Sequence, residues 1–403
     1  MSAYGYGLGT TPEFQRIAAE GALFENAFTT FSNTLAAHMS MLTGLYPAAH
    51  GVYTNTRLSA AIPTLAENLR GAGYQTAAIT EDGLITARAG FARGFAHYVE
   101  DKTTAWHEVG ARRTFERALA WANAHADEPF FLFVHTYAVH APYAPGPAYR
   151  DLFTAPPTAS ADRLCTSRRC ARSTTTSPGS SAGSTACSDG DRYLLVVTAD
   201  HGEEFREHRL VFHVQLYDEV MHVPLLFRWP GRIPAGRVIE LDGLARRRRP
   251  DDPRDGRGRR TERLARRLGP RALDRGRDPG AGVMAGGRLR RVAAVRSRTG
   301  AAHLRGSGGR SGSACSRGGS GAVRCFDLTT DPDERNPLSP SSSAALTALA
   351  SEVSTYRDRA KRVAPAFAAK PLPDQADAQR RAPAPRARLR RMKPCGMKRH
   401  RDP

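Results

Sequence analysis

The sequence predicts an α/β protein built on a doubly wound sheet, and a repeated pairing of helix with short apolar run is what predicts it. Arg113 to His125 reads as a helix that feeds Pro129 to His135 (PFFLFVH), an apolar run short enough for a buried parallel strand. The same design stands at Leu65 to Arg70, where Gly71 and Gly73 close a helix before Tyr74 to Thr80 (YQTAAIT) reads as a strand. A third apolar run, Tyr193 to Thr198 (YLLVVT), ends in Asp200-His201-Gly202. Helix and buried strand in alternation is the pattern of a sheet wound on both faces.

Taken in order, Thr11 to Gly21 (TPEFQRIAAEG) opens on Thr-Pro, a good N-cap and first-turn pair, and stops at glycine. Residues 1–245 form one catalytic domain on this reading, interrupted at 160–190 by Ser/Thr/Cys-rich text that has no hydrophobic period and is expected to be disordered. Val220 to Arg228 (VMHVPLLFR) follows the third strand after a loop. Residues 246–322 are Arg/Gly-rich with almost no aromatic side chain, and disorder is expected there too. Residues 323–362 resume as a small C-terminal unit with an amphipathic helix near Leu346 to Arg359, and 363–403 is a basic Pro/Ala tail.

The net charge is +20, from 59 basic and 39 acidic residues, and only five of the basic residues are lysines. The arginines crowd between Arg246 and Arg324 and into the last two dozen residues, with no interleaved aromatics and no helical stripe. Solvated chain, not a specific nucleic-acid surface, is the expectation. Cys165, Cys170, Cys187, Cys315, Cys325 and Cys395 lack the spacing of a zinc site and are read as incidental. No apolar run is long enough to span a bilayer, and Met1 to Thr10 has neither the charged nor the apolar region of a signal peptide.

Four stretches carry chemistry or family character. Ser32 to Val52 (SNTLAAHMSMLTGLYPAAHGV) contains Met41-Leu42-Thr43-Gly44-Leu45-Tyr46-Pro47. Thr198-Ala199-Asp200-His201-Gly202-Glu203-Glu204 puts an Asp-His pair at the carboxyl end of a strand, where open α/β sheets bind ligands. Carboxylate oxygen with imidazole nitrogen suits Zn²⁺, Mn²⁺ or Ca²⁺. His208 and His213 lie in the loop before Leu216-Tyr217-Asp218-Glu219-Val220. Val134 to Tyr143 (VHTYAVHAPY) follows the apolar strand, and Phe326 to Leu338 (FDLTTDPDERNPL) reads as a strand and turn.

These stretches resemble the sulfatase family of the alkaline-phosphatase superfamily. The resemblance implies an alkaline-phosphatase-like sheet between helices, a small C-terminal subdomain remnant, and metal-dependent hydrolysis of sulfate esters. It places Thr34 at the nucleophile and metal-ligand position and His38 where the family has Arg or His. It makes Asp200 and His201 metal ligands, His213 a group meeting the metal or the substrate's anionic oxygens, and His140 the substrate-contacting histidine. A divalent ion, its identity open among Ca, Mn and Zn, and a small anionic ester are the implied cofactor and substrate. A hydroxyl at a helix N-terminus beside such an ion is the chemistry required.

Two departures weigh on this. Thr34 cannot become the formylglycine of true sulfatases, which favours a phosphodiesterase or phosphonate monoester hydrolase of the same superfamily as the alternative. Ala36-Ala37 stands where the family has Pro-Ser. The family's first strand, with its metal-binding aspartates, has no counterpart before Ser2-Ala3-Tyr4-Gly5-Tyr6-Gly7, so an inactive remnant binding polyanions non-specifically is the third reading. A displaced reading frame over roughly 160–190 and 246–322, with a start further upstream, would account for both anomalies. His135 is expected to pack against the sheet end and His50 to be structural; Glu81-Asp82-Gly83 follows a strand where it could line the cleft, a plain turn being the expected reading.

Overall fold

The computed structural model describes residues 1–6, 9–53, 56–81, 83–101, 108–141, 193–239, 295–296, 302–305, 313–317, 323–363 and 370–371. The low-complexity stretch at 160–190, residues 246–294 and most of the basic tail lie outside the described residues.

Helix α1 (Pro12–Ala19) begins after Thr11 with proline in its first turn and buries Phe14 and Ile17. It leads into β1 (Ala22–Phe24), which is fully buried. Gly21 makes this junction possible, since a Cβ there would lie 2.3 Å from the Phe227 carbonyl oxygen. Helix α2 (Thr34–Thr43) is buried along almost its whole length, and the short α3 (Pro47–His50) follows it. Strand β2 (Thr56–Arg57) precedes α4 (Leu65–Gly71), whose start is fixed by a full capping box: the Thr64 hydroxyl accepts from the Glu67 amide and the Glu67 carboxylate from the Thr64 amide.

Strands β3 (Gln75–Glu81), β4 (His97–Asp101) and β5 (Phe130–Val134) form a parallel sheet in the order β4-β3-β5. Helix α5 (Glu108–Ala124) supplies the crossover between β4 and β5, the connection that parallel pairing requires. A mixed sheet holds β6 (Leu195–Thr198), β9 (Leu225–Arg228) and β10 (Arg237–Ile239) around β1, in the order β10-β1-β9-β6. Between β6 and β9 lie the hairpin β7 (Glu204–Phe205) to β8 (Val211–Phe212) and helix α6 (Asp218–Met221). The predicted α/β architecture with a parallel sheet and flanking helices is therefore present. The strand expected over Tyr193 to Thr198 is shorter and less buried than expected: among the described residues β6 pairs on one side only, and Val196 is 45% exposed.

The main apolar cluster joins Leu35, Met39 and Leu42 of α2 to Ala78 of β3 and to Ile85, Phe91 and Phe95 beyond it. A second joins Ala36 and Ala37 on the opposite side of α2 to Phe31, Leu216 and Met221. The two alanines are 0% and 1% exposed, so α2 is packed on both sides, by β3 and the segment beyond it on one and by Phe31, Leu216 and Met221 on the other.

The Arg/Gly-rich segment corrects the expectation of disorder at its C-terminal end. Strands β11 (Val295–Arg296), β12 (Ala302–Arg305) and β13 (Ser313–Arg317) form an antiparallel sheet with β14 (Val323–Asp327). Helix α7 (Ala344–Val363) covers it through Leu346, Leu349 and Val353. Cys315 and Cys325 are not incidental: they sit opposite each other on β13 and β14 and form a disulfide, both fully buried. Strand β15 (Lys370–Pro371) pairs with β2. Among the described residues no helix is long and apolar enough to cross a membrane.

Candidate functional site

Helix α2 supplies the first two side chains. Asn33 caps it, its side-chain oxygen accepting from the Leu35 amide at 3.1 Å, so Thr34 stands in the first turn beside the uncommitted backbone N–H groups. His38 lies one turn on and donates from Nδ1 to the Thr34 carbonyl at 2.8 Å. From β6 come Asp200 and His201. Their loop is held down at Gly202, whose amide donates to the Val220 carbonyl at 2.7 Å while the Glu203 amide donates to Glu219 at 3.0 Å. A Cβ at Gly202 would lie 2.0 Å from the Glu219 carbonyl oxygen.

The chain thus brings together residues far apart in sequence. Thr34 Oγ1 lies 3.3 Å from His201 Nε2. His201 Nε2 lies 3.3 Å from Asp200 Oδ2, and His38 Nδ1 lies 3.5 Å from the same oxygen. The His213 ring sits 4.1 Å from that of His201, and His140 is 6.5 Å from His213. Thr34, His38, His201 and His213 therefore gather around Asp200, and His140 stands at the edge of the group beside His213.

The rings share one hydrogen-bond scheme. His38 Nδ1 meets the carbonyl of Thr34, His140 Nδ1 that of Ala141, His201 Nδ1 that of Gly202 and His213 Nδ1 that of Ser32, at 2.6–2.9 Å. A carbonyl only accepts, so each Nδ1 carries the proton, and the tautomer assigned on this basis leaves Nε2 as a lone pair.

Burial lowers His38, with Asp200 opposing, and it lowers His213 to about 4, reinforced by His201. Burial pushes the Asp200 carboxyl up, but the facing His38 and His201 outweigh it and hold Asp200 at about 2. At neutral pH the site therefore holds one carboxylate facing imidazoles of which His38 and His213 are pressed toward the neutral form, an arrangement that attracts cations.

The donor set suits a divalent ion. Asp200 Oδ2 and His201 Nε2 face each other at 3.3 Å, two donor atoms that one cation could join. Donors held about 2.0–2.2 Å from one ion sit roughly 3.0–3.5 Å from each other, and both 3.3 Å separations fall in that range.

Some features were not read from the sequence. His135 directly follows β5, but its ring is 4.8 Å from His38 and 4.6 Å from Tyr137, inside the histidine group. Burial lowers it to about 3, with His38 adding to the effect. Glu81 is more than a turn residue: it is 1% exposed and accepts from the Thr136 hydroxyl at 2.7 Å and the Tyr137 amide at 2.8 Å. It thereby anchors the segment that carries His135 and His140. His50 is structural as expected, accepting from the Val52 amide through Nδ1 and donating from Nε2 to Ser40 Oγ.

A second group, Glu204, His208 and Glu219, brings its ligand atoms within 4.8 Å of one another and could hold a cation. Those atoms are also engaged with protein. Glu204 accepts from the His208 and Leu210 amides and from Gln215. His208 bonds Glu219 at 2.6 Å and the Asp333 carbonyl at 3.0 Å, and its ring stacks on Tyr217 at 3.5 Å. The group clasps the FDLTTDPDE turn to the loop that carries His213. Only its carboxylates were missing from the sequence reading, because their convergence depends on the β7–β8 hairpin.

Residues 1–182 match the family described as Sulfatase. N-acetylglucosamine-6-O-sulfatase of Bacteroides thetaiotaomicron is 27% identical over 175 residues, 38% of this chain and 30% of that protein. The chain therefore matches less than a third of that relative's length. Among solved structures, a sulfatase homologue of Bacteroides fragilis superposes with a TM-score of 0.65 at 17% identity, over 89% of this chain and 92% of the other. Phosphonate monoester hydrolase of Agrobacterium radiobacter gives 0.61 at 18%, over 92% and 94%. A protein solved with its substrate, D-glucosamine-2-N,6-O-disulfate, gives 0.61 at 16%, over 90% and 94%. These likenesses give the chain the α/β fold that sulfatases share with the phosphonate hydrolase.

Proposed function

We propose that this chain, whose first 182 residues carry the Sulfatase match, hydrolyses sulfate esters with Thr34 as nucleophile and Asp200 and His201 as metal ligands. One observation carries the reading: the Thr34 hydroxyl, at the N-terminus of a buried helix, lies 3.3 Å from His201 Nε2, which in turn lies 3.3 Å from Asp200 Oδ2. A divalent ion held by Thr34, Asp200 and His201 would supply the Lewis acidity that lowers the hydroxyl's pKa.

The chain's own residues do the rest. The N–H groups of the first turn of α2 receive the ester's anionic oxygens. Thr34 Oγ1 forms the bond to sulfur as the ester S–O bond breaks; the Nε2 lone pair of His140 or His213 takes up the hydroxyl proton and passes it to the departing oxygen. His38, tied to the Thr34 carbonyl, keeps the Asp200 carboxylate turned toward the helix N-terminus. Water then releases sulfate from Thr34.

A second reading, a phosphodiesterase or phosphonate monoester hydrolase, rests on threonine standing at the nucleophile position. Turnover of an aryl sulfate and a bis-aryl phosphate, with and without Zn²⁺, Mn²⁺ or Ca²⁺, separates the two. Metal-dependent sulfate release supports the first, preference for the diester supports the second, and no turnover with any ion leaves the inactive remnant.

A further inference from the structure

A neutral imidazole has a single N–H. Four histidines around Asp200 have committed theirs: the Nδ1 protons of His38, His140, His201 and His213 go to the carbonyls of Thr34, Ala141, Gly202 and Ser32. Through Nε2 these rings, when neutral, can only accept. That suits a metal ion or a proton, and it offers nothing to an anionic oxygen.

His135 is built differently. It belongs to the same group, with its ring edge-on to His38 at 4.8 Å and to Tyr137 at 4.6 Å. Its electrostatic partners are the site residues His38, Asp200, His140 and His201. Yet its Nδ1 is buried and meets no hydrogen-bond partner among the described residues. A buried polar atom without a partner is uncommon and calls for a ligand or another specific cause.

The ring is also held in place. Tyr137, 4% exposed, is fixed by its amide to Glu81 Oε2 at 2.8 Å, and its hydroxyl accepts from the Leu84 amide at 3.1 Å. Gly83 leaves room for it, since a Cβ there would lie 2.7 Å from the Tyr137 hydroxyl. His135 is thus positioned by a rigid neighbour while its own proton is unassigned.

We infer that His135 is a substrate-binding residue: as a neutral imidazole, it donates its N–H to a non-bridging oxygen of the anionic ester. This rests on the ester-hydrolase reading for the identity of the anion and on the hydrogen-bond pattern for the residue. The step transfers no proton, so the ring stays neutral before and after binding.

The test compares His135→Phe, which keeps an aromatic ring between His38 and Tyr137 without a donor, with His135→Asn and His135→Gln. The last two place an amide N–H near the positions of Nδ1 and Nε2 respectively. Inorganic sulfate binding is read by calorimetry on the metal-loaded protein, alongside thermal melting and bound metal. The expected result is sulfate binding weakened roughly 10- to 100-fold in His135→Phe, the scale of one hydrogen bond to a charged group. Melting temperature and bound metal should stay unchanged, and at least one amide variant should recover most of the affinity. Sulfate affinity in His135→Phe equal to wild type would overturn the inference, as would loss of the bound metal in that variant. Calorimetry needs no turnover, so an inactive protein that still binds sulfate through His135 would sink the hydrolase reading alone.

Discussion

Thr34 Oγ1 lies 3.3 Å from His201 Nε2 although 167 residues separate them. The first turn of α2 is packed against Phe31, Leu216 and Met221, and the loop after β6 that carries His201 is tied to Glu219 and Val220 beside them. His201 is held in one tautomer by the Gly202 carbonyl, as a ligand histidine is usually oriented by a bond from its other nitrogen. Asp200→Asn removes the anionic donor and should reduce bound divalent metal from near stoichiometric to trace when measured by elemental analysis. His208→Ala should leave the metal in place. The reverse pattern would assign the ion to Glu204, His208 and Glu219.

Gly202 gives the site its second constraint. A side chain there meets the Glu219 carbonyl oxygen at 2.0 Å, so Gly202→Ala must push the Asp200–His201 loop off α6. We expect destabilisation on the order of 3 kcal/mol or more, in the range of a backbone clash in a packed region. Activity should fall with it. Gly44→Ala, at a positive φ but with no atom within 4 Å, should cost only about 1 kcal/mol and leave metal content unchanged. Chemical denaturation of the two variants checks the contrast.

His50 makes a pH prediction with a definite sign. Burial lowers it from 6.5 to about 3, so the unfolded chain takes up its proton at higher pH than the folded one. Stability is therefore lost as pH falls through 6.5 toward 3. Between pH 7 and 5 the loss amounts to about 2 kcal/mol. His50→Gln, which keeps a donor toward Ser40 and cannot be charged, should show a drop over that window smaller by about this amount. Equal pH slopes in the two proteins would count against the buried neutral imidazole.

The Cys315–Cys325 disulfide closes a short loop between β13 and β14, with a sequence separation of 10. A cross-link of that span contributes about 2–3 kcal/mol in the chain-entropy account. Cys325→Ser should loosen the C-terminal sheet and expose its backbone to faster hydrogen exchange. Exchange in α2 should be unaltered.

Much of this architecture was readable because it is local. The Thr11-Pro12 start of α1 and the Leu65 to Arg70 run closed by Gly71 and Gly73 in α4 are written in adjacent residues, and both helices begin where the sequence puts them. The parallel strands β3 and β5 were visible as short apolar runs for the same reason. Strand β1 was not, since three residues carry no period and its partners, β9 and β10, lie some two hundred positions away.

The site divides along the same line. Asp200 and His201 follow an apolar run and announce themselves, whereas Glu81 and His135 gain their meaning from Tyr137 packed beside them. The paired cysteines sit in text without hydrophobic periodicity, where only the antiparallel register of β13 and β14 reveals their pairing.

The proposed chemistry rests on the Thr34 hydroxyl. The direct measurement is the initial rate of aryl sulfate hydrolysis by wild type, Thr34→Ser and Thr34→Ala, each loaded with the same divalent ion and matched in melting temperature. The account predicts that Thr34→Ala loses at least about a thousandfold in kcat, the scale seen when a nucleophile is removed, while Thr34→Ser keeps measurable turnover. A Thr34→Ala rate within about threefold of wild type would contradict it.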